Sequence, residues 1–158
     1  MLPIQPFTQL RDDADVDLDD PNFDRTPYDP LTAYRRSKTV TILFAVAFDE
    51  RHKLDGVRAT AVHPGAVLTE TTQRLIDAQP AAASAFTWKT VAQGAATPVW
   101  AAFVAPADEV GARYCEDCHV AEIDDNQSVR YGVRSYALDQ TRARVLWRKS
   151  NEMVAESF

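Results

Sequence analysis

A long helical pattern that ends directly before a short strand-like run limits the folds open to this chain. Pro30 stands where a helix can begin, because a residue of the first turn needs no partner for its N–H. An apolar face at helical spacing follows, formed by Val40, Leu43, Phe44, Ala47 and Phe48. The pattern predicts a helix over residues 31–53 that stops at Gly56, and residues 57–62 (VRATAV) then predict a short strand.

The rest of the chain continues this alternation of helices and strands. Residues 90–104 are apolar on nearly every side, which predicts a buried helix, and Pro98 should bend it. The other expected elements are a short helix at 69–79 capped by Thr69, a mobile connection at 80–86, a second strand at 112–115 and an amphipathic helix at 139–153. The order helix, strand, helix, helix, strand, helix predicts an α/β layer with parallel strands.

Composition and charge indicate a single cytoplasmic domain. The 158 residues, of which 46% are hydrophobic, suffice for one core. With 23 Asp and Glu against 17 Lys and Arg, we expect no nucleic acid and no membrane as partner, since both attract basic surfaces. The first ten residues lack a signal-peptide pattern, and no apolar run approaches the roughly 18 residues of a membrane helix.

Two features of the chain could suggest a metal site. Aspartates and prolines crowd residues 1–30, which we interpret as an irregular acidic segment with a hydrated surface rather than a metal site. Cys115 and Cys118 have the spacing of zinc ligands, but no second Cys or His pair completes a set of four. We therefore expect structural cysteines at a strand end and no metal. Residues 31–158 carry the helices and strands of a single partial domain.

Tyr34 and Lys38 lie one turn apart on the same face of the first predicted helix. A tyrosine alone, with a pKa of about 10, is a poor acid or base at neutral pH. A lysine ammonium nearby favours the phenolate and lowers such a pKa. The pair is therefore a candidate general acid/base for reducing a carbonyl or oxidising an alcohol. A helix start that merely faces solvent can show the same spacing.

The order of motifs around this pair resembles the short-chain dehydrogenase/reductase family. In that family Y-x-x-x-K, here Tyr34 to Lys38, opens a helix, and P-G-x-V-x-T, here residues 64–69, follows the next strand. The flanking segments NFDRTPYDPLTAYRRSK, GVRATAVHPGAV, QGAATPVW and ARYCEDC resemble the retinol-dehydrogenase-like branch of the family. The resemblance covers roughly residues 17–150.

The resemblance implies a site for NAD or NADP beside the acid/base pair. Tyr34 would be the catalytic acid/base, and Lys38 would lower its pKa and hold the ribose hydroxyls of the nicotinamide. The nicotinamide would contact four residues of the loop after the strand, namely Pro64, Gly65, Val67 and Thr69. The first three would line the ring, and the threonine would bind its carboxamide. Proline and glycine at a strand end allow backbone to approach a flat ring closely.

The fold implied is the C-terminal half of a Rossmann-type doubly wound parallel sheet, with the Gly-rich N-terminal half absent. The glycines lie too far apart for a phosphate-cradling turn: Gly56, Gly65, Gly94, Gly111 and Gly132. The serine and asparagine of the family have no match, and Thr8 is the nearest candidate for the serine hydroxyl. Residues 70–88 would correspond to the variable segment that covers the substrate.

Two functions therefore remain open for this chain. The first is an oxidoreductase of the short-chain dehydrogenase/reductase type, which transfers hydride between NAD(P) and an alcohol or carbonyl substrate and is truncated and inactive alone. The second is a non-catalytic interaction protein, or a decayed paralogue, that keeps the remnant of the fold. In either case an unpaired strand edge and exposed apolar surface predict a homo-oligomer or a completing partner.

Overall fold

The computed structural model describes residues 14–84, 86–126 and 131–155. In this part of the chain a long helix leads to one short strand, and four helices then precede two further strands and a last helix. None of the helices described there combines the length and the apolarity needed to cross a bilayer. Thr8, the candidate for the serine hydroxyl, lies outside the described residues.

The longest element is helix α1 (Pro30–His52). The Asp29 carboxylate caps α1 by accepting a 2.8 Å hydrogen bond from the Thr32 N–H. After α1 the chain reverses through a 3-10 turn (Lys53–Asp55) and Gly56, whose φ of +79° favours glycine. The predicted first helix and its glycine stop are therefore confirmed.

The sheet has three short strands in the order β1 (Ala61–His63), β2 (Tyr114–Glu116) and β3 (His119–Val120). β1 and β2 are parallel, with Val62 opposite Cys115, whereas β2 and β3 form an antiparallel hairpin. The parallel pairing of the two predicted strands is confirmed. The unpredicted third strand makes the described sheet mixed.

β1 is shorter than the strand predicted at 57–62, although Ala59 O still accepts a 2.8 Å hydrogen bond from Ala112 N–H just before β2. Ala59 N–H donates to the Asp49 carboxylate at 2.9 Å. Arg58 binds the same buried carboxylate through Nε at 2.9 Å and Nη2 at 3.1 Å, and it also pairs with Asp108. This network joins the C-terminal end of α1 to the segment that enters the sheet.

The described part of the chain also contains the α-helices α2 (Glu70–Ala78), α3 (Pro80–Ala83), α4 (Val91–Phe103), α5 (Ala107–Val110) and α6 (Gln140–Val154), and a 3-10 helix (Ser135–Leu138). α3 occupies residues 80–83 of the connection predicted at 80–86, since a first-turn proline followed by alanines favours a helical turn. The prediction that α4 is buried is wrong. Its buried residues are Gly94, Thr97 and Ala101, and Val91, Val99 and Phe103 are exposed.

The main core lies between α1 and α6. Its buried residues are Val16, Leu43, Val46, Ala47, Ala143, Leu146 and Trp147. The rings of Phe44 and Trp147 stack with their centroids 5.4 Å apart. Burial of Leu146 and Trp147 agrees with the amphipathic helix predicted at 139–153, and Met153 near its end is exposed.

The acidic segment before α1 is held more tightly than its composition predicts. Val16 belongs to the core, and Asp20 is buried. The Asp20 carboxylate accepts hydrogen bonds from the backbone N–H groups of Asp24, Arg25 and Thr26 and from the Thr26 hydroxyl. Burial by itself would raise the pKa of Asp20, but these hydrogen bonds outweigh it and lower the pKa. The prediction of a hydrated surface is therefore wrong for both buried residues.

Candidate active site

Tyr34 and Lys38 are in contact in the first turns of α1. Lys38 Nζ lies 4.9 Å from the centroid of the Tyr34 ring, within the range of a cation–π contact. Both side chains are exposed, and Tyr34 keeps 47% of its surface open to solvent. The structure therefore brings the predicted pair together and leaves the phenol within reach of a ligand.

The predicted nicotinamide loop, residues 64–69, follows β1 directly. α1 advances about 27 Å from Tyr34 to His52, at about 1.5 Å per residue. The chain then reverses, with Val57 N–H bonded to His52 O at 3.2 Å. The bonds of Val57 to His52 and of Ala59 to Asp49 show that the run towards Pro64 passes back along α1. This reversal carries the loop towards the end of α1 that contains Tyr34.

Lys89 holds the centre of the loop in an extended conformation. Its N–H donates to Ala66 O and its carbonyl accepts from Leu68 N–H, both at 2.8 Å, so that Val67 and Lys89 form a parallel bridge. Gly65 has a φ of +85°, and a Cβ there would lie 2.8 Å from the outer carbons of the Lys89 side chain. The backbone angle favours glycine at this position, and the Lys89 side chain occupies the space beside it.

Helix α4 approaches the loop closely because residue 94 is a glycine. A Cβ on Gly94 would lie 2.5 Å from Cγ2 of Val67. The helix begins with a capping box, in which Thr90 Oγ1 accepts from Gln93 N–H at 3.2 Å and Gln93 Oε1 accepts from Thr90 N–H at 2.8 Å. The cap and the glycine together determine where α4 lies against Val67.

The hydroxyl of Thr69, expected to bind the carboxamide, also takes part in the start of α2. Thr69 Oγ1 accepts a 3.2 Å hydrogen bond from Thr72 N–H, which confirms the predicted cap. Thr72 Oγ1 accepts from Thr69 N–H at 2.6 Å and donates to the carbonyl of Val67 at 2.8 Å. A hydroxyl has one proton to donate and two lone pairs. Thr69 Oγ1 also lies 3.1 Å from Thr72 Oγ1, so the exposed Thr69 caps α2, contacts Thr72 and keeps one lone pair for another group.

Charged side chains of the β2–β3 turn lie next to the loop. Lys89 Nζ forms an ion pair with the Asp117 carboxylate. The hydrogen bond from Lys89 lowers the pKa of Asp117 and outweighs the opposing effect of burial. Positive charge on His119 or His63 acts in the same direction as Lys89. The His63 ring also stacks on Tyr114 of β2, with 6.4 Å between centroids.

The two cysteines lie in different environments. Cys115 is buried on β2, and burial raises the pKa of its thiol despite a contact with the Thr60 hydroxyl at 3.4 Å. Cys118 is exposed in the turn that follows β2. In the described part of the chain, no three His, Cys, Asp or Glu side chains come together as they would around a metal ion.

Sequence reasoning did not identify four residues that determine the shape of the loop, namely Thr72, Lys89, Gly94 and Asp117. The interval of three residues between Thr69 and Thr72 could have revealed their mutual capping, because such bonds are local. Lys89 and Asp117 are 28 positions apart in sequence. They meet through tertiary packing, for which a single sequence offers no signal.

Comparisons with known proteins agree with these motifs. No protein-family model matches the chain. A probable oxidoreductase of Streptomyces lividans is 38% identical over 143 residues, which are 83% of this chain and 48% of that protein. The chloroplastic short-chain dehydrogenase TIC 32 A of Brassica napus is 32% identical over 131 residues, which are 80% of this chain and 38% of that protein. A crystal structure of a Mycobacterium paratuberculosis protein covers 91% of this chain at a TM-score of 0.57 and 24% identity, which supports an α/β fold.

The chain spans about half the length of the curated relatives that it matches first, 48% and 49% for the two Streptomyces oxidoreductases. Its match to each of them nevertheless extends over more than four fifths of its own length. Other relatives that match the chain are named short-chain dehydrogenases. The Tyr34–Lys38 motif, the loop that follows β1 and these matches together show that the chain belongs to the short-chain dehydrogenase/reductase family.

Proposed function

We propose that this chain is the catalytic part of an NAD(P)-dependent oxidoreductase that interconverts a small alcohol and the corresponding carbonyl compound. The observation that carries the proposal is the contact of Lys38 with Tyr34 in the first turns of α1. Relatives named oxidoreductase and short-chain dehydrogenase support the same chemistry.

In this mechanism Tyr34 moves the proton. Its Oη gives a proton to the carbonyl oxygen during reduction and takes one from the alcohol hydroxyl during oxidation. The ammonium group of Lys38 stabilises the phenolate that remains after proton donation, and its N–H groups can bind the ribose hydroxyls of the cofactor. NAD(P), when bound, supplies or accepts the hydride.

The residues after β1 fit the nicotinamide end of such a cofactor. Pro64 and Thr69 are exposed, and Gly65 has no side chain to hold the ring away from the backbone. Val67 supplies an apolar surface for the ring, and the Thr69 hydroxyl keeps a hydrogen-bonding position for the carboxamide. These four residues are the proposed nicotinamide contacts.

The diphosphate end of the cofactor has no matching turn in this chain. Its five glycines are widely separated, so none of them forms the clustered turn that holds phosphate groups at a helix N-terminus. β1 lies at the edge of the described sheet, where a further strand can pair with it. We propose that the phosphate turn belongs to a completing polypeptide, whose strands extend this sheet into a doubly wound parallel one.

A second candidate is a non-catalytic interaction protein. Helix α4 contains no charged residue, and it exposes Val91, Val99 and Phe103 to solvent. Exposed apolar surface of this kind marks binding interfaces. The two candidates differ in one respect that can be tested: only the oxidoreductase needs the Tyr34 hydroxyl for its activity.

A fusion protein tests the proposal. The part of the Streptomyces lividans oxidoreductase that lies outside the match is joined to this chain, and oxidation of NADPH is followed with a panel of aldehydes and ketones. We expect turnover that Tyr34→Phe reduces by about 10²–10⁴-fold, because the ring stays and only the ionisable hydroxyl is lost. Tyr28→Phe, which removes another exposed phenol hydroxyl, is the matched control. A folded fusion without turnover, or with equal turnover in the Tyr34 variant, contradicts the proposed function.

A further inference from the structure

Three separate segments of the chain meet at the side chain of Lys89. Its backbone bonds to both neighbours of Val67 in the 64–69 loop. Its side chain then crosses Gly65 so closely that a Cβ on that residue would lie 2.8 Å from Cδ, Cε and Nζ. Its ammonium group pairs with Asp117 in the β2–β3 turn. Lys89 thus contacts the loop with its backbone and its aliphatic chain, and the sheet with its charge.

The partner of Lys89 is itself held in place. Asp117 and Cys118 form the turn between β2 and β3 with φ values of +46° and +59°. The N–H of Cys118 donates to Oγ1 of Thr97 at 3.2 Å, and Thr97 is fully buried on α4. The carboxylate therefore projects from a turn that is attached both to the sheet and to the helix that packs on Val67.

We propose that Lys89 and Asp117 are positioning residues, whose ion pair holds Gly65 and Val67 at the distance from Tyr34 that hydride transfer requires. The catalytic purpose of the pair rests on the proposed function above. Its structural part, the control of the loop by the ion pair, rests only on the contacts just described. Neither residue belongs to the acid/base pair or to the loop itself.

Hydrogen exchange in the chain as it exists tests the structural part. Lys89→Met keeps the aliphatic chain over Gly65, and Asp117→Asn keeps a residue type that tolerates a positive φ. We expect each variant to accelerate exchange of the Leu68 amide about three- to fivefold, since a pair of this exposure contributes little to global stability. The variant that carries both substitutions should exchange at the same rate as each single variant, because all three variants lack the ion pair between residues 89 and 117.

The matched control is the ion pair between Glu50 and Arg144. Its side chains are 24% and 56% exposed, against 24% for Lys89 and 47% for Asp117, and it joins α1 to α6 away from the loop. Glu50→Gln and Arg144→Met should leave exchange of the Leu68 amide unchanged. Equal exchange at Leu68 in the parent chain and in both test variants overturns the inference.

Kinetics of the fusion protein test the catalytic purpose. We expect Lys89→Met and Asp117→Asn to reduce kcat by about 10- to 100-fold, the effect of a small misplacement of reacting groups. The KM for NADPH should stay within about threefold, because most of the cofactor binding comes from the completing half. A higher KM for NADPH with an unchanged kcat overturns the positioning role. An inactive parent fusion contradicts the proposed function, whereas unchanged exchange at Leu68 contradicts the role of the ion pair alone.

Discussion

The carboxylate of Asp49 offers the sharpest test of how the site is supported. It lies near the C-terminal end of α1, 3% exposed, and accepts two hydrogen bonds from Arg58 and one from Ala59 N–H. Asp49→Asn keeps the shape of the side chain but removes its charge and turns one acceptor into a donor. Oδ1 can still accept from Arg58 Nε and Ala59 N–H, but the new Nδ2 donor faces Arg58 Nη2, so the bond from Nη2 to Oδ2 is lost and two donors face each other.

The expected loss follows from the burial of the pair. Removing one partner of a buried ion pair costs about 3–5 kcal/mol. Arg58 is 20% exposed and keeps a second partner in Asp108, so solvent and that carboxylate recover part of the loss. We expect a decrease of about 2–3 kcal/mol in the free energy of unfolding, within the range for hydrogen bonds to charged groups.

Urea denaturation measures this loss. With a slope of about 2 kcal/mol per molar urea, the midpoint should fall by about 1 M. Glu50→Gln, at the next position of α1 and paired with Arg144, is the control and should cost no more than about 1 kcal/mol. A midpoint for Asp49→Asn equal to that of the parent would refute the inference that this network supports the fold.

The difference in unfolding free energy between the parent and Asp49→Asn should depend on pH. Burial would raise the pKa of Asp49, but the hydrogen bonds from Arg58 and Ala59 outweigh it and lower the pKa. Because the folded pKa lies below the unfolded one of about 3.9, the stabilisation is complete above that value and is lost as pH falls through the folded pKa. The parent and Asp49→Asn should thus differ at neutral pH and converge in acid.

Three further predictions concern the site and its surroundings. The chain alone should show no saturable micromolar binding of NADPH by fluorescence or calorimetry, because it lacks the turn for the diphosphate. Gly94→Ala should accelerate exchange of the Leu68 amide, since its Cβ would displace Val67, although helix propensity alone favours alanine by about 1 kcal/mol; equal exchange would show that α4 can shift without cost. The purified chain should associate with increasing concentration in light scattering, and Phe103→Ser on α4 should weaken this association; a monomer at all concentrations would contradict the exposed face as an interface.

The sequence alone predicted the ends of α1, its apolar face and the family motif. Pro30 and Gly56 marked the limits of α1, and the apolar spacing of Leu43 and Ala47 indicated the face that enters the core. The motif around Tyr34 and the loop after β1 gave the family, which the relatives support. These features depend on backbone geometry and on side chains a few positions apart, so a single sequence contains them.

Other features were decided only by tertiary packing. Asp20 is buried in the folded chain although its neighbours in sequence predict a hydrated aspartate, and four of the six residues predicted as a strand at 57–62 lie outside β1. The ion pair of Lys89 with Asp117 joins segments that no periodicity connects. The sequence by itself therefore determined α1, the approximate positions of β1 and β2, and the motif that carries the proposed acid/base pair. The tertiary structure alone decided which charges meet, because such contacts form only after distant segments have been brought together.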